Sequence, residues 1–347
     1  MPLLSSDRDF LKRTTAPLVS DLNETRILIT GGTGVFGSWL LEALICAQQS
    51  HDLNLSVTVL SRNPDQFTAR RPHLACNPIV DVVPGDIRTF TGLENRFDYI
   101  IHAAAESHNM TGSRLDLVDT IVDGTRRILD FGTKSSNLKG LLFVSSNAVY
   151  GRAPGGAEFI EETCNTGPLV TDANVEYDES KRMAEALCAL YYQERALRVK
   201  IARCFPVVGP YLPLNAHFAV GNFIRDALSG GPITVKGDGT PVRSYLYLAD
   251  LAVWLLTILV KGESGKAYNV GSDTAITIAR LAESIAGCFE PKPRVEIEGK
   301  PKAGAQVSRY VPSIARATRD LGLSVTYTLN HALANTIEYC RANNVAE

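Results

Sequence analysis

The sequence predicts an α/β fold, a doubly wound parallel sheet followed by a smaller α+β lobe. Short apolar runs such as RILIT (26–30) and LLFVSS (141–146) alternate with longer stretches of helical periodicity. Strands that are apolar on both faces are typical of a parallel sheet covered by helices on both sides. A glycine-rich turn at 30–37, between the first strand and the first helix of this pattern, is the second indication.

Three segments follow from this pattern. Residues 1–25 are polar, and we expect an irregular N-terminal leader there. Residues 26–205 form the first domain, with strands predicted at 26–30, 55–60, 79–83, 99–103, 141–146 and 199–205 and helices at 38–49, 117–132 and 177–196. Residues 206–347 are richer in Gly and Pro and form most of the smaller lobe, although the chain can cross between the two. Its helices are predicted at 217–228, 249–261, 276–287 and 329–341.

Composition excludes several classes of protein. Of 347 residues, 45% are hydrophobic and 21% charged, which is typical of a globular chain, and the net charge of −2 gives no indication of nucleic-acid binding. The longest apolar run, 251–260, is too short to span a membrane, and the N-terminus has no secretion signal. Seven cysteines are scattered singly without a C-x-x-C pair, so we expect a reduced, cytoplasmic protein.

The glycine-rich turn predicts a cofactor site. Gly31, Gly34 and Gly37 follow a strand and open a helix, where glycines allow a tight turn, close approach of a pyrophosphate, and close packing of helix on strand. The helix N-terminus offers free N–H groups and a positive dipole end to phosphates. A glycine turn alone is a weak signal, so the flanking strand and helix carry the prediction. The expected contacts are Gly31, Thr33, Gly34, Val35, Phe36 and Gly37.

The end of the second strand bears on the choice between NAD and NADP. An acid there binds the ribose 2′-hydroxyl, whereas an arginine accommodates a 2′-phosphate. This chain has Ser61 and Arg62, which favours NADP, unless Arg62 is merely a solvated loop residue. Asp86 and Ile87 follow the third strand, where an adenine edge would lie, although a plain polar turn is the alternative. Ala103, Ala104 and Ala105 follow the fourth strand and complete the predicted cofactor contacts.

A second group of residues carries proton-transfer chemistry. Tyr177 and Lys181 are four residues apart and share a helix face. A phenol with a pKa near 10 is a poor base, and we expect Lys181 and a positive nicotinamide ring to lower that pKa. Ser146, at the end of the fifth strand, can hydrogen-bond the same substrate oxygen as Tyr177. Y-x-x-x-K is common by chance, so its value depends on Ser146 upstream.

Seven motifs together resemble an extended short-chain dehydrogenase/reductase of the NAD-dependent epimerase/dehydratase family, whose members modify nucleotide sugars. The resemblance covers about residues 25–325 and implies a Rossmann domain over 26–205, a substrate lobe that closes over a nucleotide-diphosphate sugar, and a homodimer formed by the helices at about 113–132 and 177–195. The motifs are TGGTGVFG (30–37), DYIIHAAA (98–105), FVSSNAVYG (143–151), YDESK (177–181), RCFPVVGP (203–210), GDGTPVRSYLYLADLA (237–252) and YNVGS (268–272).

The resemblance also implies residue roles. Tyr177 matches the acid/base, Lys181 its helper, which also holds the nicotinamide ribose, and Ser146 the hydroxyl partner. In the substrate lobe, Arg243 matches an arginine that grips the diphosphate, which suits its planar fork, unless it is a surface arginine beside a strand. The remaining implied substrate contacts are Asn147, Asn222, Phe223, Asn269 and Arg309, the last beside Tyr310.

Residues that differ from the family pattern reduce the number of reactions expected for this chain. The 4,6-dehydratases carry Asp-Glu directly after the Ser or Thr, and the decarboxylases usually keep the glutamate, whereas this chain has Asn147 and Ala148. Because alanine cannot transfer a proton, dehydration and decarboxylation are disfavoured. Pro206 and Ile121 replace asparagines of the pattern, which suggests a shifted substrate pose or proton route.

The expected activity is therefore an NAD(P)-dependent nucleotide-sugar epimerase that acts through a transient keto sugar. An NADPH-dependent ketoreductase is the alternative, supported by Arg62. A non-catalytic NAD(P)-binding protein is disfavoured because Ser146, Tyr177 and Lys181 are all present, and Arg243 argues against a reductase of non-nucleotide ketones.

Four further residues are weaker candidates. His102 fits the end of a strand as a structural residue, whereas Glu106 and His108 in the following loop could face the sugar. Cys164 lies between Ser146 and Tyr177 in the sequence, and a redox or nucleophilic role for it is open. The sequence shows no metal-ligand spacing of His, Cys, Asp and Glu.

Overall fold

The computed structural model describes residues 2–104, 113–151, 157–171, 175–216, 218–301, 304 and 306–345. Its helices are α1 (Ser5–Thr15), α2 (Val19–Leu22), α3 (Val35–His51), α4 (Pro64–Arg70), α5 (Pro72–Ala75), α6 (Arg114–Thr133), α7 (Glu176–Arg195), α8 (Ala219–Leu228), α9 (Leu248–Lys261), α10 (Ile278–Ala286), α11 (Ala315–Leu321) and α12 (Leu329–Ala342). Short 3-10 helices lie at Ala16–Leu18 and Asn147–Tyr150.

The strands are β1 (Thr25–Thr30), β2 (Leu55–Ser61), β3 (Val80–Pro84), β4 (Tyr99–His102), β5 (Gly140–Ser146), β6 (Val199–Cys204), β7 (Val207–Val208), β8 (Ile233–Val235), β9 (Val242–Arg243), β10 (Leu246–Tyr247), β11 (Ala267–Val270), β12 (Ile276–Thr277), β13 (Val295–Ile297) and β14 (Arg309–Tyr310).

A seven-stranded sheet with the order β11-β6-β5-β4-β1-β2-β3 forms the centre of the molecule. All six neighbouring pairs are parallel, as in the register of Ile27 with Val57 between β1 and β2. The strand order reverses between β1 and β4, and such reversals place a ligand crevice at the carboxyl ends of the strands. The predicted doubly wound parallel sheet is confirmed.

Helices cover both faces of this sheet. On one face α6 contacts β4, α7 contacts β5 and β6, and the two helices pack against each other. On the other face α3 packs against α9, which contacts β5, β6 and β11. Separate hydrophobic clusters fill the two layers, so every central strand is buried on both sides, as its continuous apolar sequence predicts.

The N-terminal segment differs from the expected irregular leader, and that expectation is wrong. Residues 5–15 form α1, whose Phe10 and Leu11 are buried against the main core. Asp7 on the same helix is buried and accepts a hydrogen bond from the Tyr247 hydroxyl at 2.8 Å. The apolar face of α1 is narrow and is interrupted by charged residues, so tertiary contacts, and not local periodicity, fix this helix.

Beyond residue 206 the chain builds small sheets and also returns to the large one. β9 lies between β12, which is antiparallel to it, and β14, which is parallel. β11 forms the edge of the seven-stranded sheet next to β6, so the chain crosses back after entering the smaller lobe. The division at 205/206 stays a prediction. Within the described residues, no helix is both long and apolar enough to cross a membrane.

Candidate functional site

The glycine turn between β1 and α3 packs so closely against neighbouring backbone that two of its positions have no room for a side chain. Gly31 has a φ of +73°, and a Cβ there would lie 2.5 Å from the carbonyl oxygen of Ala103. A Cβ on Gly37 would lie 2.3 Å from the Cα of Gly32. No side chain of the described residues caps α3 at Gly34, so the amides of Val35 and Phe36 in the first turn are available to a ligand. This cradle fits the pyrophosphate of a dinucleotide.

The rim of the crevice at the ends of β2 and β3 is rich in arginine. The Ser61 hydroxyl accepts a hydrogen bond from the amide of Asn63 at 3.2 Å, and Arg62 is exposed. Arg88 donates to both carboxylate oxygens of Asp86, at 3.0 and 2.8 Å. These bonds lower the pKa of Asp86, with a smaller contribution from the charge of Arg62. The one predicted acid of the rim is therefore already paired with a cation.

The remaining predicted cofactor contacts lie along the same edge of the sheet. Ile87 is buried and packs against Gly124 of α6. Ala103 and Ala104 follow β4 and are half-buried, and the Ala103 amide donates to the carbonyl of Thr30 at 3.0 Å. The predicted contact Ala105 and the candidates Glu106 and His108 lie outside the described residues.

His102 is a structural residue in this fold. Its Nδ1 lies 2.7 Å from the Thr30 hydroxyl, and its Nε2 lies 3.0 Å from the hydroxyl of Thr125. Burial lowers the pKa of His102 to about 3, so the imidazole is neutral at physiological pH. Both ring nitrogens already have protein partners, which agrees with the structural role expected at the end of β4.

Ser146 and Tyr177 meet at the carboxyl end of β5. Ser146 is the last residue of that strand, and its hydroxyl accepts a hydrogen bond from the Ala148 amide at 3.2 Å. Tyr177 lies in the first turn of α7. Burial raises the pKa of Tyr177 to about 12, and the nearby Ser146 hydroxyl lowers it only in part. In the protein alone the phenol is therefore protonated at neutral pH, whereas the expected lowering of its pKa also depends on a nicotinamide ring.

Lys181 lies one turn further along α7, under the strand. It is buried, and its Nζ donates to the carbonyl oxygen of Val144 at 2.8 Å. The ammonium lies 4.8 Å from the ring centre of Phe143 and 5.9 Å from that of Tyr177. Burial lowers the pKa of Lys181 to about 8. The structure thus places Ser146, Tyr177 and Lys181 in one group, but the strongest partner of the lysine is backbone.

Three predicted substrate residues line the smaller lobe with part of their surface exposed. Arg243 donates to the carbonyls of Val242 at 2.8 Å and Ser308 at 3.2 Å, and its guanidinium lies 5.1 Å from the ring centre of Tyr310. The other two also have protein partners: Arg309 donates to the Glu158 carbonyl at 2.7 Å, and Asn222 accepts from Arg225 at 3.1 Å.

Two other predicted substrate contacts are buried. Phe223 belongs to the main core. Asn269 is fully buried, where its Oδ1 accepts from the Tyr150 hydroxyl at 2.6 Å and its Nδ2 donates to the carbonyls of Ile160 and Ser313. Packing and protein hydrogen bonds occupy these side chains, so their positions argue against direct contact with a ligand.

The residues that differ from the family motifs are packed or hydrogen-bonded within the protein. Asn147 and Ala148 are half-buried in the 3-10 helix that follows Ser146. Ile121 is buried in the core beneath α6, and the Pro206 carbonyl accepts from the Leu246 amide at 3.0 Å. The Cys164 thiol lies 3.5 Å from the Thr166 hydroxyl. Among the residues that the structure describes, no group of His, Cys, Asp and Glu is arranged to hold a metal ion.

A buried ionic group behind the site was not predicted. Glu185 accepts from the Ser145 hydroxyl at 2.5 Å and from Nη2 of Arg203 at 2.7 Å. Arg203 also donates to the Tyr150 hydroxyl at 3.1 Å. Glu185 and Arg203 are 18 positions apart and lie on different elements, so no local spacing in the sequence indicated this group. The bond to Ser145 fixes the strand end that presents Ser146.

Comparison with known proteins agrees with this geometry. Residues 27–271 match the NAD dependent epimerase/dehydratase family, which is most of the chain. The chain belongs to that family. It is 28% identical over 327 residues to UDP-glucuronic acid decarboxylase 1 of Danio rerio, an alignment that covers 92% of this chain and 74% of the relative.

Two solved family members have a similar fold but different reactions in their names. One is DesIV, a dTDP-glucose 4,6-dehydratase from Streptomyces venezuelae with NAD bound, which has a TM-score of 0.74 and 26% identity and covers 92% of this chain and 98% of its own. The other is UDP-glucuronic acid 4-epimerase from Bacillus cereus in complex with NAD, with a TM-score of 0.76, 21% identity and coverages of 91% and 96%. The fold therefore does not decide which reaction this chain performs.

Proposed function

We propose that this family member is an NAD(P)-dependent nucleotide-sugar epimerase that acts through a transient keto sugar. The observation that carries the proposal is the Ser146–Tyr177 pair at the same carboxyl edge of the sheet as the glycine cradle, with Ala148 where the dehydratases and decarboxylases carry an acid. The oxidation residues are present, but the glutamate associated with elimination or decarboxylation is replaced by a methyl group. Tyr177 is half-buried and lies in the first turn of α7.

Each residue of the group has a distinct task in this reaction. Bound NAD(P) would supply the hydride acceptor for a sugar carbon and the hydride donor for its reduction. Release of the Tyr177 proton would be favoured by the positive charge of a bound nicotinamide, and the phenolate would then take the proton from the sugar hydroxyl as the keto group forms and give it back on reduction. Ser146 orients that oxygen through its hydroxyl. Lys181 is fixed by one hydrogen bond to Val144, so its other N–H donors can hold the nicotinamide ribose.

The substrate class follows from the relatives and from the smaller lobe. The relatives above are named for UDP- or dTDP-linked sugars. Arg243, half-buried on β9, is the cation that we assign to the diphosphate, because a guanidinium fork matches phosphate oxygens. Asn222, Arg309 and Asn147 are the accompanying polar contacts. Return of the hydride to the opposite face of the keto sugar inverts the stereocentre.

One observation favours the ketoreductase alternative. The rim that would receive the adenosine ribose holds Ser61 and the exposed Arg62, and Asp86 is neutralised by Arg88. A 2′-phosphate would meet net positive charge there, so we include a preference for NADP in the proposal. An enzyme that consumes NADPH reduces a keto sugar once, whereas an epimerase recycles its cofactor.

The proposal extends to a homodimer. α6 and α7 pack side by side, joined by the ion pair of Arg114 with Glu176. Leu115 on α6 and Met183 and Leu190 on α7 are exposed, and the last two share one face of their helix. A second copy of this helix pair would cover these apolar side chains in a four-helix interface.

We also keep a cytoplasmic location as part of the proposal. All seven cysteines are free thiols, and Cys46, Cys188, Cys204 and Cys340 are buried. Free thiols persist in a reducing compartment. Fractionation of the source cells with an antibody against the chain would test this location.

The experiment that tests the function is mass spectrometry of what co-purifies with the protein under mild conditions. The proposal predicts a nicotinamide dinucleotide and a nucleotide-diphosphate sugar in wild type. A Gly37→Ala variant should lose the dinucleotide, because its Cβ would lie 2.3 Å from the Cα of Gly32. Gly231→Ala is the matched control, since the nearest atom to its Cβ would be 3.8 Å away. Failure of wild type to bind any dinucleotide, also on titration, would refute the proposal.

A further inference from the structure

Arg71, directly before α5, reaches the turn that begins α3. Its side chain is 7% exposed, although it follows an exposed arginine, Arg70, at the end of α4. One guanidinium nitrogen, Nη1, lies 3.4 Å from the carbonyl oxygen of Gly34 and also donates to the hydroxyl of Ser38. The Ser38 hydroxyl in turn donates to the Gly34 carbonyl at 2.7 Å. Arg71 therefore contacts Gly34, the residue directly before α3, and Ser38 in the first turn of that helix.

No carboxylate among the described residues forms an ion pair with Arg71. The acid of the surrounding cluster is Glu42, whose Oε1 accepts from the Tyr211 hydroxyl at 2.5 Å and lies 3.0 Å from Nε2 of His73. The ring of Tyr211 lies under the guanidinium, with its centre 4.0 Å from the central carbon. Stacking and neutral hydrogen bonds are thus the direct contacts of Arg71, because the nearby Glu42 carboxylate is bound by Tyr211 and His73 and not by the guanidinium.

A buried cation without an anionic partner is costly, because desolvation is not repaid by an opposite charge. Here the cation lies beside the N-terminus of α3, whose helix dipole adds further positive potential. An anion bound at the first turn of α3 would balance both the charge of Arg71 and the positive potential of the helix dipole. The pyrophosphate of the proposed cofactor is such an anion, and it would approach the same turn that Arg71 holds.

We infer that Arg71 is a positioning residue of the dinucleotide site, which fixes Gly34 and Ser38 and supplies a charge that the pyrophosphate balances. This inference rests on the proposed cofactor binding. It assigns Arg71 to the phosphates alone, because its contacts are confined to the α3 turn and the Glu42–Tyr211 side of the cluster. Removing its charge should therefore weaken ligands that carry a pyrophosphate and leave the adenosine moiety unaffected.

Calorimetric titration with ADP and with adenosine separates the contribution of the pyrophosphate to binding from that of the adenosine moiety. Arg71→Met should weaken ADP binding about ten-fold or more, because it removes the charge that the pyrophosphate balances, and should leave adenosine affinity unchanged. Arg71→Lys should recover part of the ADP affinity, because it restores the charge without the fork. Arg70→Met removes a neighbouring exposed arginine and should change neither ligand.

The outcomes distinguish this inference from the proposed function. If wild type binds ADP and dinucleotide but Arg71→Met binds ADP equally well, or loses ADP and adenosine alike, only the inference is overturned. If wild type binds no dinucleotide at all, the inference and the proposed function are both overturned. If Arg71→Met does not fold, Ser38→Ala decides: selective weakening of ADP supports the inference, and unchanged ADP affinity overturns it.

Discussion

Ser146, the last residue of β5, lies close enough to Tyr177, in the first turn of α7, for its hydroxyl to lower the pKa of the phenol. This contact links the end of a strand to a helix that follows it after a long loop. Burial nevertheless keeps the pKa of Tyr177 at about 12. The chemistry proposed for the site depends on the pair, because one hydroxyl orients the substrate oxygen to which the other transfers a proton.

Replacement of Tyr177 by phenylalanine should abolish turnover but preserve cofactor binding, because only the proton-transferring group is removed. A general acid or base contributes about 10²–10⁴-fold to the rate. Steady-state kinetics and dinucleotide titration on the same sample measure the two effects. Tyr192→Phe, at an exposed position of α7, is the control. Near-normal turnover in Tyr177→Phe would remove this residue from the mechanism.

Ser61 and Arg62, at the end of β2, predict which nicotinamide cofactor binds more tightly. NADP(H) should bind more tightly than NAD(H). Arg62→Ala should reduce the ratio of the two dissociation constants by about ten- to a hundred-fold, since a charge-assisted contact is worth about 1.5–3 kcal/mol. Titration of both cofactors into stripped protein measures this, with Arg70→Ala as a control on α4. Equal or tighter binding of NAD(H) would show that Arg62 is only a loop residue, and the ketoreductase alternative would lose its main support.

The ion pair of Glu185 with Arg203 should be essential for stability. Glu185→Ala leaves a mostly buried guanidinium unpaired and frees the Ser145 hydroxyl, so we expect a loss of about 3–5 kcal/mol in the free energy of unfolding. Denaturant unfolding of this variant should be compared with Glu194→Ala, an exposed acid on the same helix. A loss below about 1 kcal/mol would contradict the importance given to this pair.

Asp7 should make the stability of the protein depend on pH. Burial raises the pKa of Asp7 from 3.8 to about 6 in the folded chain, partly offset by the hydrogen bond from Tyr247. Between these two values the unfolded chain releases its proton first. Stability therefore falls as the pH rises through this window, by about 1.4 kcal/mol per pH unit.

An Asp7→Asn variant cannot titrate at this position, so it should gain stability relative to wild type by about 2 kcal/mol between about pH 4 and pH 6. Urea unfolding across this range measures the difference. Asp9→Asn, at an exposed position of α1, should show no such trend. A difference between Asp7→Asn and wild type that stays constant with pH would contradict the assignment.

The exposed apolar face of α7 predicts how the dimer can be broken. Met183→Glu combined with Leu190→Glu places two charges in the proposed interface, so light scattering at micromolar concentration should report a monomer where wild type is a dimer. Leu169→Glu, an exposed apolar residue outside the two helices, should leave the dimer intact. A monomeric wild type would contradict the proposal.

Local patterns predicted the sheet and the cofactor turn because those signals lie within a few residues of one another. The glycines of β1 and α3, and the pair of Tyr177 and Lys181, are of this kind. Contacts between distant segments left no such signal. Arg71 meets Gly34 across 37 positions, and Asp7 meets Tyr247 across 240.

Contacts between distant segments also explain why some predicted substrate residues are buried in the structure. Asn269 matches a motif of the family, but its surroundings come from Tyr150 and from carbonyls far away in the sequence. The direction of the Tyr177 pKa was also beyond the sequence, because it depends on how deeply packing buries the phenol.

Product analysis by mass spectrometry and NMR tests the central claim most directly. Wild type should be incubated with NAD(P) and a panel of UDP- and dTDP-linked hexoses and hexuronic acids. The account predicts a product of unchanged mass with one inverted stereocentre and no net change in nicotinamide absorbance. Loss of water or of carbon dioxide from the substrate would contradict it, because Ala148 would then not have removed elimination or decarboxylation from this site.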